Sequence, residues 1–104
     1  MPTPREEIEE ILVDAYGEYE QTAAWEVTFM EAAPVPFRAV LLGMTIEVVG
    51  FRISKADTLQ CEVVRQGKQR WLEIEALDDD GLPAEMQHLL SLYRVWQNGE
   101  HEMA

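Results

Sequence analysis

The chain has 104 residues, 47% of them apolar, with three each of Trp, Tyr and Phe, so it suits one folded domain and is too apolar for a disordered acidic tail. Twenty acidic against eight basic residues give a net charge of −12, which argues against nucleic-acid binding, since that needs a basic face, and disfavours an anionic membrane surface. No apolar run approaches the roughly 18 residues of a membrane span, the start lacks a signal-peptide core, and the lone Cys61 excludes an internal disulfide or a cysteine-based zinc site; the expectation is a soluble, cytoplasmic, acidic protein.

Charge divides the chain into three parts. Residues 1–32 carry −8, residues 33–77 carry +1 and residues 78–104 carry −5. The predicted organisation is one domain over 1–104. It comprises N-terminal helices in 1–33, a β barrel in 34–77, a C-terminal helix in 78–99 and a frayed tail in 100–104.

The first helix begins where Thr3 caps, Pro4 takes the first helical position and Glu6 completes a capping box. Ile8, Ile11, Leu12, Ala15 and Tyr19 recur at helical spacing. Gly17 breaks the run, which predicts two helices meeting near Tyr16-Gly17. The second carries Tyr19, Ala23, Trp25, Phe29 and Met30 and ends before Pro34-Val35-Pro36.

The middle changes period. Residues 37–42 and 45–53 read as strands, with Gly50 as a bulge in the second. In residues 59–66, Leu59, Cys61 and Val63 fall on one face. Residues 69–77 read as a further strand with Leu72, Ile74 and Ala76 inward, joined to the preceding one by a Gly67-Lys68 turn. So few short strands close most economically as a small barrel. Asp78-Asp79-Asp80-Gly81 then turns the chain into a helix carrying Met86, Leu89, Leu90, Tyr93 and Trp96, with Gly99 as its stop.

Catalytic constellations are missing from the sequence. His88 and His101 are the sole histidines, Cys61 lies mid-strand on an apolar face, and no phosphate-cradling glycine loop occurs. The expectation is a non-enzyme. The triple Asp is not an EF-hand loop either: with Gly81 at the sixth loop position, Ala76 and Gln87 fall where the first and last carboxylates belong.

The acids of the first segment stand out. Glu6, Glu10, Asp14 and Glu18 follow one another at spacing four, which on a helix forms one ridge. Like charges so placed destabilise a helix by about 0.2–0.5 kcal/mol per pair, a cost that a hard cation would relieve. A solvated face is the other reading of the same ridge.

Several segments together resemble one family. They are Ile8-Glu9-Glu10-Ile11-Leu12-Val13-Asp14-Ala15-Tyr16, then Glu18-Tyr19-Glu20-Gln21 and Ala24-Trp25, then Pro34-Val35-Pro36-Phe37-Arg38-Ala39. Weaker likenesses follow at Ile46-Glu47-Val48-Val49-Gly50 and at Trp96 with Gly99. This order resembles the CcbP-like calcium-binding proteins of cyanobacteria and other bacteria. The resemblance implies an α+β fold with N-terminal helices, a small SH3-like antiparallel β barrel of four to five strands and a C-terminal helix. It implies calcium (Ca2+) binding through surface carboxylates, as a buffer or sensor. Asp14, Glu18 and Glu20 match the family block, and Glu10 joins them as a metal ligand on helical geometry alone. The alternative is a protein-interaction module without metal function, in which the barrel or an acidic helix docks a basic protein partner and Trp25, Trp71 or Trp96 anchor the contact.

Overall fold

The computed structural model describes residues 2–99. Thr3 caps α1 (Pro4–Ile11) by accepting from the Glu6 amide at 3.2 Å, and Pro4 opens the helix, as the sequence predicts. After a turn and a short link comes α2 (Glu18–Ala32). Four strands follow, β1 (Phe37–Leu41), β2 (Met44–Ile53), β3 (Leu59–Arg65) and β4 (Lys68–Glu73), then a 3₁₀ turn (Ile74–Ala76) and α3 (Ala84–Gln97). The expected tail at 100–104 lies outside the described residues.

The sheet is an antiparallel meander in the order β1-β2-β3-β4. The predicted bulge is present: register slips between Val48 and Gly50, so Val49 is left without a partner on β3. On the inner face Ala39, Ile46, Val48, Leu59, Cys61 and Val63 are buried, which follows the alternation read from β3. Against them α2 brings Trp25 and Phe29, and α3 brings Leu90 and Tyr93. Four aromatic rings meet there, with Trp25 at 5.4 Å from Tyr93 and 5.8 Å from Trp96 by centroid. Tyr93 also ties α3 to the sheet, because its hydroxyl accepts from the Leu59 amide (3.0 Å) and from Gln97 Nε2 (2.6 Å).

Four expectations need correction. The predicted barrel is an open sheet: β1 and β4 are both edges, and the architecture is α+β with helices covering one face. Closure is unnecessary because the aromatic face of α2 and α3 supplies the covering layer. The strand expected over residues 69–77 stops at Glu73, since the chain turns into 3₁₀ geometry. Ile74 and Leu77, three apart, then both point inward while Ala76 is exposed. The hairpin turn is Gln66-Gly67 rather than Gly67-Lys68, with φ of 53° and 78°. A two-residue turn of that hand needs positive φ at both positions, and glycine takes the second.

The fourth correction concerns the acid ridge. The first helix ends at Ile11, with Leu12 as its cap and a turn closed by Ala15 N–H to Leu12 O at 3.0 Å. Continuing it would set Asp14 against Glu10 at spacing four and place Asp14 at the helix's negative end. The β-branched Val13 adds nothing to offset that. Gly17 then caps α2, so the ridge from Glu6 to Glu18 does not form on one helix.

Candidate metal centre

Glu10, Asp14, Glu18 and Glu20 are all exposed, and the break after Ile11 distributes them. Glu10, on the last turn of α1, lines a shallow cleft with Glu7, Thr28 and His88. Within that cleft His88 Nε2 lies 2.8 Å from Glu7 Oε1, joining α3 to α1. Asp14, in the link, shares a second cleft with Glu20, floored by Ile11, Ala23 and Ala24. Glu18, the first residue of α2, lines a third cleft with Gln21, Asp57, Thr58 and Gln97. The structure therefore places Asp14 and Glu20 on one cleft and Glu18 and Asp57 on another, and sets Glu10 apart.

Local bonds hold the link in place. Glu20 turns back from α2 so that Oε2 accepts from the Tyr16 amide at 3.2 Å, and Gln21 Nε2 donates to Ala15 O at 3.4 Å. Glu18 and Glu20 sit in the first turn of α2, where the helix macrodipole favours negative charge. On the far side, Thr22 Oγ1 donates to Asp57 O at 2.5 Å, which pins the β2–β3 turn to α2. Asp57 has φ of +60°, a conformation Asp tolerates in turns.

Asp57 carried no signal in the sequence. It is a single acid in a polar turn, 39 residues from Glu18, and tertiary packing alone brings the two to one cleft. The triple Asp has other work. Asp78 accepts from the amides of Leu42 (3.2 Å) and Gly43 (3.0 Å) and so clamps the β1–β2 turn. Asp79 Oδ1 accepts from Arg94 Nη1 at 2.6 Å.

Calcium takes six to eight oxygen ligands, from carboxylates, amide and backbone carbonyls, and water. The donors flanking the start of α2 are of that chemistry: carboxylates at Asp14, Glu18, Glu20 and Asp57, with side-chain amides at Gln21 and Gln97. Their number per cleft is small. Among the described residues, no three carboxylate, histidine or cysteine groups converge to hold a metal. The set fits an open, hydrated ion and does not fit a closed cage. The helix N-terminus opposes a cation, which weakens such a site further.

Other chemistry finds little support. Cys61 is wholly buried. Burial, with a smaller contribution from the Glu73 charge, pushes its thiol up to about 12 against an opposing backbone hydrogen bond. The thiol therefore stays protonated at neutral pH and should not react with a thiol reagent in the native protein at pH 8. The folded state holds this proton more tightly than the unfolded chain, so stability should fall as pH rises through 9 toward 12. The loss is on the order of 4 kcal/mol at full titration, and the raised Tyr93 hydroxyl, also desolvated, adds to it in the same direction. Denaturant midpoints at pH 8 and 11 test this, and a smaller drop in Cys61→Ala isolates the thiol. The aromatic anchors of the interaction reading are engaged: Trp25 is buried, Trp96 packs against it, and Trp71 is half-buried with the Arg52 guanidinium 4.2 Å from its ring centre.

No protein-family model and no curated protein sequence matches the chain. Its arrangement of helices over a four-stranded meander is nonetheless that of a known class of small protein. The crystal structure of Anabaena CcbP superposes with a TM-score of 0.70 at 18% identity, covering 93% of this chain and 91% of that one. The structure of a calcium-binding protein in its calcium-binding form superposes with a TM-score of 0.71 at 19% identity, covering 96% of this chain and 98% of that one. The resemblance read from the sequence holds at the level of the fold. No helix among the described residues is long and apolar enough to cross a membrane.

Proposed function

We propose that this chain is a small acidic calcium-binding protein, acting as a buffer or sensor in the cytoplasm. The observation that carries the reading is the near-complete fold likeness to a calcium-binding protein in its calcium-binding form. The ligands we assign are Asp14 and Glu20 on one side of the first turn of α2, and Glu18 with Asp57 on the other. Glu10, in a separate cleft, contributes to the acidic field and not to the coordination. With two carboxylates per cleft, water completes each shell. Affinity then falls at the loosest end of calcium sites, with Kd of about 10⁻⁴–10⁻³ M, so that the clefts fill only when calcium rises far above its resting level.

Calorimetric titration at low salt tests this. Calcium should give saturable heat, and ten times its Kd should stabilise the fold by about 1.4 kcal/mol for each cleft occupied. Asp14→Asn with Glu20→Gln, and Glu18→Gln with Asp57→Asn, should each weaken binding, and all four together should abolish it. Magnesium should give a weaker response, since it demands tighter octahedral geometry. Equal responses to both ions, or heat unchanged in the fourfold variant, would mean charge screening alone.

A further inference from the structure

The end of the sheet farthest from the acidic link carries the opposite character. There the inner face runs out beyond the helices and opens as a groove. Leu41, Met44 and Leu72 contribute apolar surface, and Arg65, Lys68 and Arg70 contribute charge. The three bases are exposed and make no ion pair among the described residues. Met44 in its lining is 40% exposed, and Leu42 in the adjoining β1–β2 turn is 81% exposed, large values for such side chains. The carboxylate of Asp78, at the neighbouring β1–β2 turn, is taken up by two turn amides. In a chain of net charge −12, so many unpaired bases beside apolar surface call for an acidic, apolar occupant.

The molecule itself presents such a surface. Along the link into α2, Val13, Tyr16 and Tyr19 are 68%, 84% and 62% exposed and alternate with Asp14, Glu18 and Glu20. Intramolecular pairing is impossible. The link lies beside the β2–β3 turn, where Thr22 meets Asp57, while the groove lies at the opposite hairpins. The ten residues of β2 separate these ends by about 30 Å at roughly 3.3 Å per residue.

We infer that the groove receives the acidic link of a second copy of this chain, in a weak head-to-tail contact. The tyrosines and Val13 cover the apolar floor, and the carboxylates meet Arg65, Lys68 and Arg70. The two surfaces differ, so the contact is heterologous and builds open chains rather than closed dimers. Net repulsion between copies keeps it weak. At about 0.15 M salt the Debye length is about 8 Å, so distant charges are screened while groups in contact still interact.

Sedimentation velocity in EDTA at about 0.15 M salt tests the contact, from about 10 μM to about 1 mM, the range of weak association. The average mass should rise above the monomer's 11.9 kDa as concentration increases. Arg70→Glu should weaken association about tenfold or more. Arg38→Glu, an equal change in charge at an exposed position on the opposite face of the sheet, should leave it within about twofold. Asp14→Lys should be monomeric alone, yet mixed with Arg70→Glu it should restore association, since each then supplies the surface the other lacks. All of these substitutions are at exposed or turn positions, so the variants remain folded. A constant monomer mass for the unaltered chain overturns the contact. So does association that Arg70→Glu leaves unchanged, or a mixture that stays monomeric.

Discussion

Replacing Trp25 with alanine should remove about 3–5 kcal/mol of stability, a large share of the roughly 5–15 kcal/mol a domain possesses. The indole is fully buried and is the shared neighbour of three other rings, Phe29, Tyr93 and Trp96, at 6.2, 5.4 and 5.8 Å. Its loss opens a cavity exactly where α2, α3 and the sheet meet, and rigid neighbours on three sides limit collapse. Trp25→Phe should cost less, about 1–2 kcal/mol. Phenylalanine keeps a ring in place and removes the indole N–H, which is buried with no hydrogen-bond partner among the described residues. Urea unfolding of the three proteins provides the comparison. A loss below about 1 kcal/mol for Trp25→Ala would mean that this junction is not the centre of the core.

Gly81→Ala should be nearly as damaging, at about 2–4 kcal/mol. Gly81 has φ of +87°, and a Cβ there would lie 2.5 Å from Val40 Cγ2. Backbone strain and a collision with β1 therefore add. Gly43 separates the two effects: its φ is +78°, but nothing lies within 4 Å of an added Cβ. Gly43→Ala should cost about 1–2 kcal/mol, the strain alone. Thermal unfolding that ranks the two variants equally would remove the collision from the account. The segment matters beyond its own turn, because the Asp78 amide donates to Val40 O at 2.8 Å and covers part of the β1 edge.

Much of the fold is legible in the sequence wherever local chemistry decides the outcome. Thr3 and Pro4 mark a helix start by local chemistry alone, the one as cap and the other at the first helical position. The alternation of Leu59, Cys61 and Val63 fixes which face of β3 is buried, and Gly50 marks the slip in register. Where tertiary contacts decide, the pattern misleads. Sheet closure depends on what covers the inner face, and the aromatic residues of α2 and α3 do so from distant parts of the chain. The inward spacing of Ile74 and Leu77 reads as a strand with one misfit until the 3₁₀ turn accounts for it.

The candidate ligands show the same division. An acidic concentration around the start of α2 is plain from residue counts, and Asp14, Glu18 and Glu20 do lie there. Their partition between two clefts is not legible, because it follows from the helix break at Ile11 and from the docking of the β2–β3 turn on Thr22. Asp57 enters through that docking alone. Asp78, in the more conspicuous acidic run, is consumed by the amides of a neighbouring hairpin.

Whether a divalent ion is held at the start of α2 can be read amide by amide. Two-dimensional NMR of the labelled protein, titrated with calcium at fixed ionic strength, should show saturable shifts concentrated at residues 14–21 and 56–58, with one common dissociation constant within each cleft. Small, non-saturating shifts spread evenly over every acidic stretch, including Glu6 to Glu10 and Asp78 to Asp80, would contradict the proposal.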